Sequence, residues 1–108
     1  MVLNDGELNG VRVLKEETIA FAKNNQIGEI RMGRDHFTYG YQVVPEDGDL
    51  RFGRIPGKIS WGGAFQTTFW IDPARNSVAM LLTQMYPSYH QQKFYGPFEQ
   101  LVNGAFVD

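Results

Sequence analysis

Ser60-Trp61-Gly62-Gly63-Ala64-Phe65-Gln66-Thr67-Thr68-Phe69-Trp70-Ile71-Asp72-Pro73 is the stretch whose reading decides the fold. It reads as a strand that opens on two adjacent glycines, runs through aromatics and ends in a proline-containing turn. From Ala64 on, Phe65, Thr67, Phe69 and Ile71 share one face; Gln66, Thr68 and Trp70 share the other. Glycine weakens a strand interior because it loses the most backbone entropy and packs nothing. The pair Gly62-Gly63 therefore marks either a bulge or tight bend, or backbone that something must approach closely. Asp72 to Asn76 forms the turn, with Asp72 placed to cap it. Ser77 to Gln84 follows as a second strand, with Val78, Met80 and Leu82 on one face and Ala79, Leu81 and Met85 on the other. Apolar residues on both faces predict a central strand covered from both sides.

Working back from this pair, Leu50 to Ile55 reads as a short strand. It is joined through the turn Pro45-Glu46-Asp47-Gly48 to His36–Val44, where Phe37, Tyr39, Tyr41 and Val43 alternate with His36, Thr38, Gly40 and Gln42. Lys15 to Asn25 is a helix with Glu16 and Glu17 at its positive end and a face of Leu14, Thr18, Ile19 and Ala22, with Phe21 beside it. Lys15 stands where a capping Ser or Asp is expected. Asn4-Asp5-Gly6 and Asn9-Gly10 are turn signals flanking the extended piece Val11 to Leu14. Working forward, Ser88-Tyr89-His90-Gln91 opens a terminal helix as a capping box. Gly96-Pro97 interrupts that helix, and Phe94, Phe98, Leu101 and Val102 form its buried stripe. The expected class is α+β: an antiparallel sheet of four or five strands with helices towards both ends, in a single unit over 1–108 with no internal boundary.

The 108 residues suffice for one domain with little margin. A hydrophobic share of 43% against 20% charged excludes a disordered composition. The net charge of −2, without a basic run, argues against nucleic acid and anionic membranes as partners. With no cysteine there is no disulfide or thiolate-bound metal. His36 and His90 have no partners at ligand spacing, so no metal and no cofactor is expected. No apolar run approaches the length of a membrane span. Met1 to Gly6 lacks the pattern of a secretion signal, which leaves the compartment open between a bacterial cytoplasm and periplasm.

Several segments, in order, resemble the C-terminal part of the serine β-lactamase and penicillin-binding-protein-like superfamily, above all its class C-related esterases and peptidases. Asn9 to Thr18 is similar to the family's glycine turn, short strand and helix start. The strand carrying Tyr39-Gly40-Tyr41 is similar to its glycine- and aromatic-rich strand. Trp61-Gly62-Gly63 falls where lactamases carry Lys-Thr-Gly and related esterases Trp-Gly-Gly or His-x-Gly; Phe69-Trp70-Ile71-Asp72-Pro73, an apolar strand and a terminal helix complete the series.

The resemblance implies a cleft strand ending at Gly62 and Gly63, an oxyanion-hole donor in the backbone N–H of Ala64, and pocket walls at Trp61 and Phe65. Such a donor stabilises a tetrahedral intermediate by roughly 3–4 kcal/mol. With Trp61 in place of a lysine, an ester or small amide is a better implied substrate than a β-lactam carboxylate. The nucleophile motif Ser-x-x-Lys is absent: Ser60, Ser77 and Ser88 are followed three places on by Gly63, Met80 and Gln91. Tyr86-Pro87-Ser88 has the letters of the family's second motif but follows the cleft strand, and reads as a turn. The chain thus reads as a C-terminal segment, a partial domain that another polypeptide, the N-terminal part of the same hydrolase domain, completes. The alternative is a non-catalytic, self-associating binding or structural module of the same fold. A third reading, Ser60 as a nucleophile of its own, lacks a local base.

Overall fold

A computed structural model describes residues 1–50, 53–86 and 91–106. After a 3-10 turn at Val2–Asn4, β1 (Glu7–Leu8) and β2 (Val11–Arg12) form a two-residue hairpin across Asn9-Gly10. Both turn residues have positive φ, 51° and 79°, the geometry for which Asn-Gly is selected. α1 (Glu16–Lys23) follows, starting at Lys15 without a side-chain cap, as the sequence predicts. Only Ile19 of its expected face is buried; Leu14, Thr18 and Phe21 are exposed.

The main sheet is an antiparallel meander of five strands: β3 (His36–Phe37), β4 (Gln42–Val43), β5 (Ile59–Gly62), β6 (Thr68–Asp72) and β7 (Ser77–Leu81), lying in chain order. The α+β class and the strand number match the sequence expectation. α2 (Gln91–Gly104) packs on one face. One cross-sheet row, Val43–Ile59–Ile71, forms the core, with Val2, Leu3, Tyr41 and Phe69 packed against it.

Four expectations for the sheet change. The deciding stretch is a hairpin rather than one strand: β5 ends at Gly62, residues 63–67 make the bend, and β6 starts at Thr68. Gln66 turns the chain with φ 63° while its side chain is fully buried. The alternation of His36 to Val44 is broken by a turn at Thr38 to Tyr41, with Gly40 at φ 105°, so it yields two short paired strands. β4 therefore pairs with β5, and among the described residues of Leu50–Ile55 none lies in a strand; 51 and 52 lie outside them. β7 is an edge strand, with Val78 and Met80 each 57% exposed, not a strand covered on both faces.

α2 runs through Gly96-Pro97 without interruption. Its inner face is Tyr95, Phe98, Glu99, Val102 and Asn103, a 3–4 spacing one step round from the expected stripe; Phe94 and Leu101 are exposed. The capping box begins at 88–90, outside the described residues, as do His90 and Pro87-Ser88. Asp72 caps its turn as expected, accepting a 3.2 Å hydrogen bond from the Arg75 N–H.

The chain exposes 7559 Å². A monomer of this mass is expected to expose about 6,100 Å². The Cα radius of gyration, 14.6 Å, also exceeds the roughly 13 Å of a closed domain of 108 residues. Exposed large apolar side chains are spread over the chain, among them Leu8, Val11, Phe21, Ile30, Val78 and Leu101.

Candidate functional site

The residues singled out by sequence sit at one end of the β5–β6 hairpin, and residues 61–65 are all exposed. Their glycines are explained by the hairpin itself. A Cβ on Gly62 would lie 2.8 Å from the Thr67 carbonyl oxygen, and one on Gly63 would lie 2.8 Å from the Thr67 hydroxyl. The Gly63 N–H donates to the Thr67 carbonyl at 3.0 Å. The bend reading of Gly62-Gly63 thus has a direct structural cause: close approach of the returning strand. Gly62→Ala is expected to destabilise by about 1–3 kcal/mol because it meets backbone, whereas Gly63→Ala meets a side chain that can rotate and should cost less. Paired urea denaturation curves would check that order.

Trp61 packs edge-on against Phe37, with ring centroids 5.1 Å apart. Phe65 turns away and packs on Tyr86 at 5.7 Å, so Trp61 and Phe65 do not form one pocket wall. The bend is anchored through Phe65, whose carbonyl accepts from the Thr83 hydroxyl at 2.6 Å and from the Met85 N–H at 3.2 Å. Ala64 lies at the exposed tip.

Trp61 and Gly62 do border a cavity of about 360 Å³, shared with Gln42, Ser60, Thr68 and Tyr95. A second space of about 180 Å³ adjoins it through Ser60, Thr68 and Tyr95 and reaches Asp35, Arg54, Lys58, Trp70 and Glu99. These polar groups lie between the sheet and α2. Alternation along β5 puts Ser60 in the same cross-sheet row as Gln42 and Trp70, on the face that α2 covers through Phe98. Tyr95, four residues before Glu99 on α2, closes the space from above.

The polar groups are largely engaged with one another. Lys58 Nζ donates to Glu99 Oε1 and, at 2.6 Å, to the Gly53 carbonyl, and it lies 5.7 Å from the Trp70 ring centre. Gln42 Nε2 donates to Asp35 Oδ2 at 2.8 Å. Arg54 Nη2 stands 2.6 Å from Asp35 Oδ1, a charge contact without hydrogen-bond alignment. The Tyr95 hydroxyl donates to the Thr67 carbonyl at 3.1 Å, and burial raises its pKa above the ordinary 10.0.

Above pH 10 the unfolded chain releases the Tyr95 proton before the folded chain does, so Tyr95 makes stability fall as pH rises through its folded-state pKa. Tyr95→Phe is expected to cost about 1 kcal/mol at neutral pH through the lost hydrogen bond. It should also flatten the alkaline fall, as read from denaturation midpoints between neutral pH and pH values above 10.

Among the described residues no histidine lines either space, and both carboxylates there, Asp35 and Glu99, face cations. Ser60 therefore has a polar setting without a proton acceptor free to activate it. No group of three or more His, Cys, Asp or Glu suited to a metal occurs among the described residues. His36 instead places Nδ1 3.2 Å from the Ile30 carbonyl. It lines a separate 630 Å³ cavity at the far end of the sheet, where Lys23 and Arg31 are paired with Asp5 and Asp47. No helix among the described residues is long and apolar enough to cross a membrane.

The sequence reading missed Lys58, Tyr95 and Glu99. Two local signals existed: Lys58 and Ser60 are two apart where β5 begins, one just before it and one within it, and Tyr95 and Glu99 are four apart on a helix. Their meeting is non-local. No protein-family model matches the chain, and comparison with curated proteins gives no match.

Proposed function

We propose that this chain is the sheet-and-terminal-helix part of a β-lactamase-related serine hydrolase acting on an ester or amide, and that it has no turnover of its own. The observation that carries the reading is the end of β5. Trp61 and Gly62 are exposed there and border a cavity on a strand inside the sheet, while among the described residues no nucleophile–base pair lies beside them. A cleft edge without its chemistry is what a completing polypeptide with Ser-x-x-Lys would require. In the assembled site Trp61 walls the pocket and the exposed Ala64 backbone faces the acyl oxygen. Gly63 supports the bend, because its N–H is already spent on Thr67.

The test is fluorophosphonate labelling of the purified chain read by intact mass, with turnover of a chromogenic ester and a chromogenic cephalosporin. Both are measured alone and after co-expression with the Ser-x-x-Lys-bearing N-terminal portion of a β-lactamase-related esterase. The expected result is neither adduct nor turnover alone, and both on completion, with the adduct on the added serine. A stoichiometric adduct on the isolated chain, or no activity on completion, overturns the proposal.

A further inference from the structure

We infer, independently of the hydrolase reading, that the cavity at the far end of the sheet is a binding site for a free α-amino acid with an apolar side chain. It lies at the opposite end of β5 from Trp61 and Gly62. At about 630 Å³ it falls within the roughly 300–1,000 Å³ of small-molecule sites. Its walls come from separate parts of the chain: the C-terminal end of α1, the segment leading into β3, and the residues that follow β4 and β6. Val43, Val44, Pro45 and Pro73 make one side of it apolar, with Val43 and Val44 buried, and an aliphatic body can pack there.

The polar lining sorts into two sets. Arg31 and Lys23 are donors for a carboxylate. Arg31 Nη1 and Nη2 reach Asp47 Oδ1 and Oδ2 at 3.4 Å each, a fork stretched beyond the roughly 2.7–2.9 Å of a tight arginine–carboxylate pair. The Asp47 side chain is 71% exposed, so the pair is weak and a ligand carboxylate can take its place. Lys23 holds the exposed Asp5 at the same 3.4 Å. Glu46 and His36 are acceptors for an ammonium. Glu46 has no cationic partner among the described residues. His36 stands directly opposite Val43 in the sheet, so its ring shares the face of that apolar wall. Its Nδ1 lies 3.2 Å from the Ile30 carbonyl. A carbonyl only accepts, so Nδ1 carries the proton and Nε2 of the neutral ring is left as an acceptor. Among the described residues two cations and two carboxylates line the cavity, so a simple anion meets Glu46 and a simple cation meets Lys23 and Arg31. A zwitterion with an apolar side chain matches both polar sets and the wall.

Isothermal titration calorimetry of the full chain with L-leucine is expected to show saturable binding. Isocaproate, which lacks the ammonium, and isopentylamine, which lacks the carboxylate, should each bind about tenfold or more weakly, through loss of charge-assisted hydrogen bonds. Arg31, Glu46 and Asp47 are exposed, so replacing them should leave the circular dichroism intact. Arg31→Met is expected to weaken leucine binding by a similar factor. Glu46→Gln should weaken leucine and leave isocaproate bound no less well than before. Asp47→Asn frees Arg31 from its internal competitor and should tighten leucine binding by about two- to fivefold, a gain that a misfolded chain cannot give. The inference is overturned by an absence of saturable leucine binding or by isocaproate binding equally well. It is also overturned by a leucine affinity that neither Arg31→Met nor Asp47→Asn moves.

Discussion

Ile59→Ala is expected to lower the free energy of unfolding by about 3–4 kcal/mol. Ile59 is fully buried, at 0% exposure, and stands in the middle of the row that links β4, β5 and β6. Val43 and Ile71 flank it, and Val2, Leu3, Tyr41 and Phe69 pack over the cluster. The backbone around it is held in ladders on both sides, so the cavity left by truncation can collapse only in part. A domain of this length has a total stability of about 5–15 kcal/mol. The substitution therefore removes a large fraction of it and should lower the melting temperature by roughly 15 °C or more. Ile59→Val, which deletes one methylene, should cost about 1 kcal/mol. Guanidinium denaturation followed by circular dichroism checks both values. An Ile59→Ala loss below that of Ile59→Val would mean that this row is not the core.

Ile59 also shows where sequence reading reached and where it stopped. The strands on either side of it were legible as apolar alternations, and the turns at Asn9-Gly10 and Asp72-Pro73 carried their own chemistry. Alternation does not distinguish one long strand from a hairpin whose arms keep the same phase. That is why the break at Thr38 to Tyr41 and the bend at 63–67 escaped it. The bend relies on Gln66 at positive φ with its amide buried, and glutamine carries no turn signal. The apolar character of β7 was visible, but an apolar strand states a need for cover without saying what supplies it. The strands lie in chain order, and β7, the last of them, stays at the edge because no later strand pairs with it among the described residues. The stripe on α2 was displaced by one position because Tyr95, Glu99 and Asn103 are polar residues facing inward, each with a partner that lies far away in the chain.

The buried ion pair between β5 and α2 should respond asymmetrically to removal of its two members. Lys58 immediately precedes β5 with its side chain 8% exposed, whereas the Glu99 side chain is 34% exposed. Burial withdraws hydration from a charge, and a partner's removal leaves that loss uncompensated. Glu99→Ala strands the more deeply buried ammonium, which retains the Gly53 carbonyl and the Trp70 face but no counter-charge. It is expected to cost about 3 kcal/mol. Lys58→Met strands a carboxylate that water can partly rehydrate, and the methionine fills the space left by the lysine stem. Its expected cost is nearer 1–2 kcal/mol. Lys58→Met with Glu99→Leu removes both charges and replaces them with apolar volume, and should return stability to within about 1 kcal/mol of the original. Hydrogen exchange adds a local readout: both single variants should lose protection first in α2, because Lys58–Glu99, Trp70–Phe98 and Tyr95–Thr67 tie that helix to the sheet. Equal costs for the two single variants would show that differential burial does not govern this pair. Unchanged α2 protection in both would show that the helix is held without this ion pair.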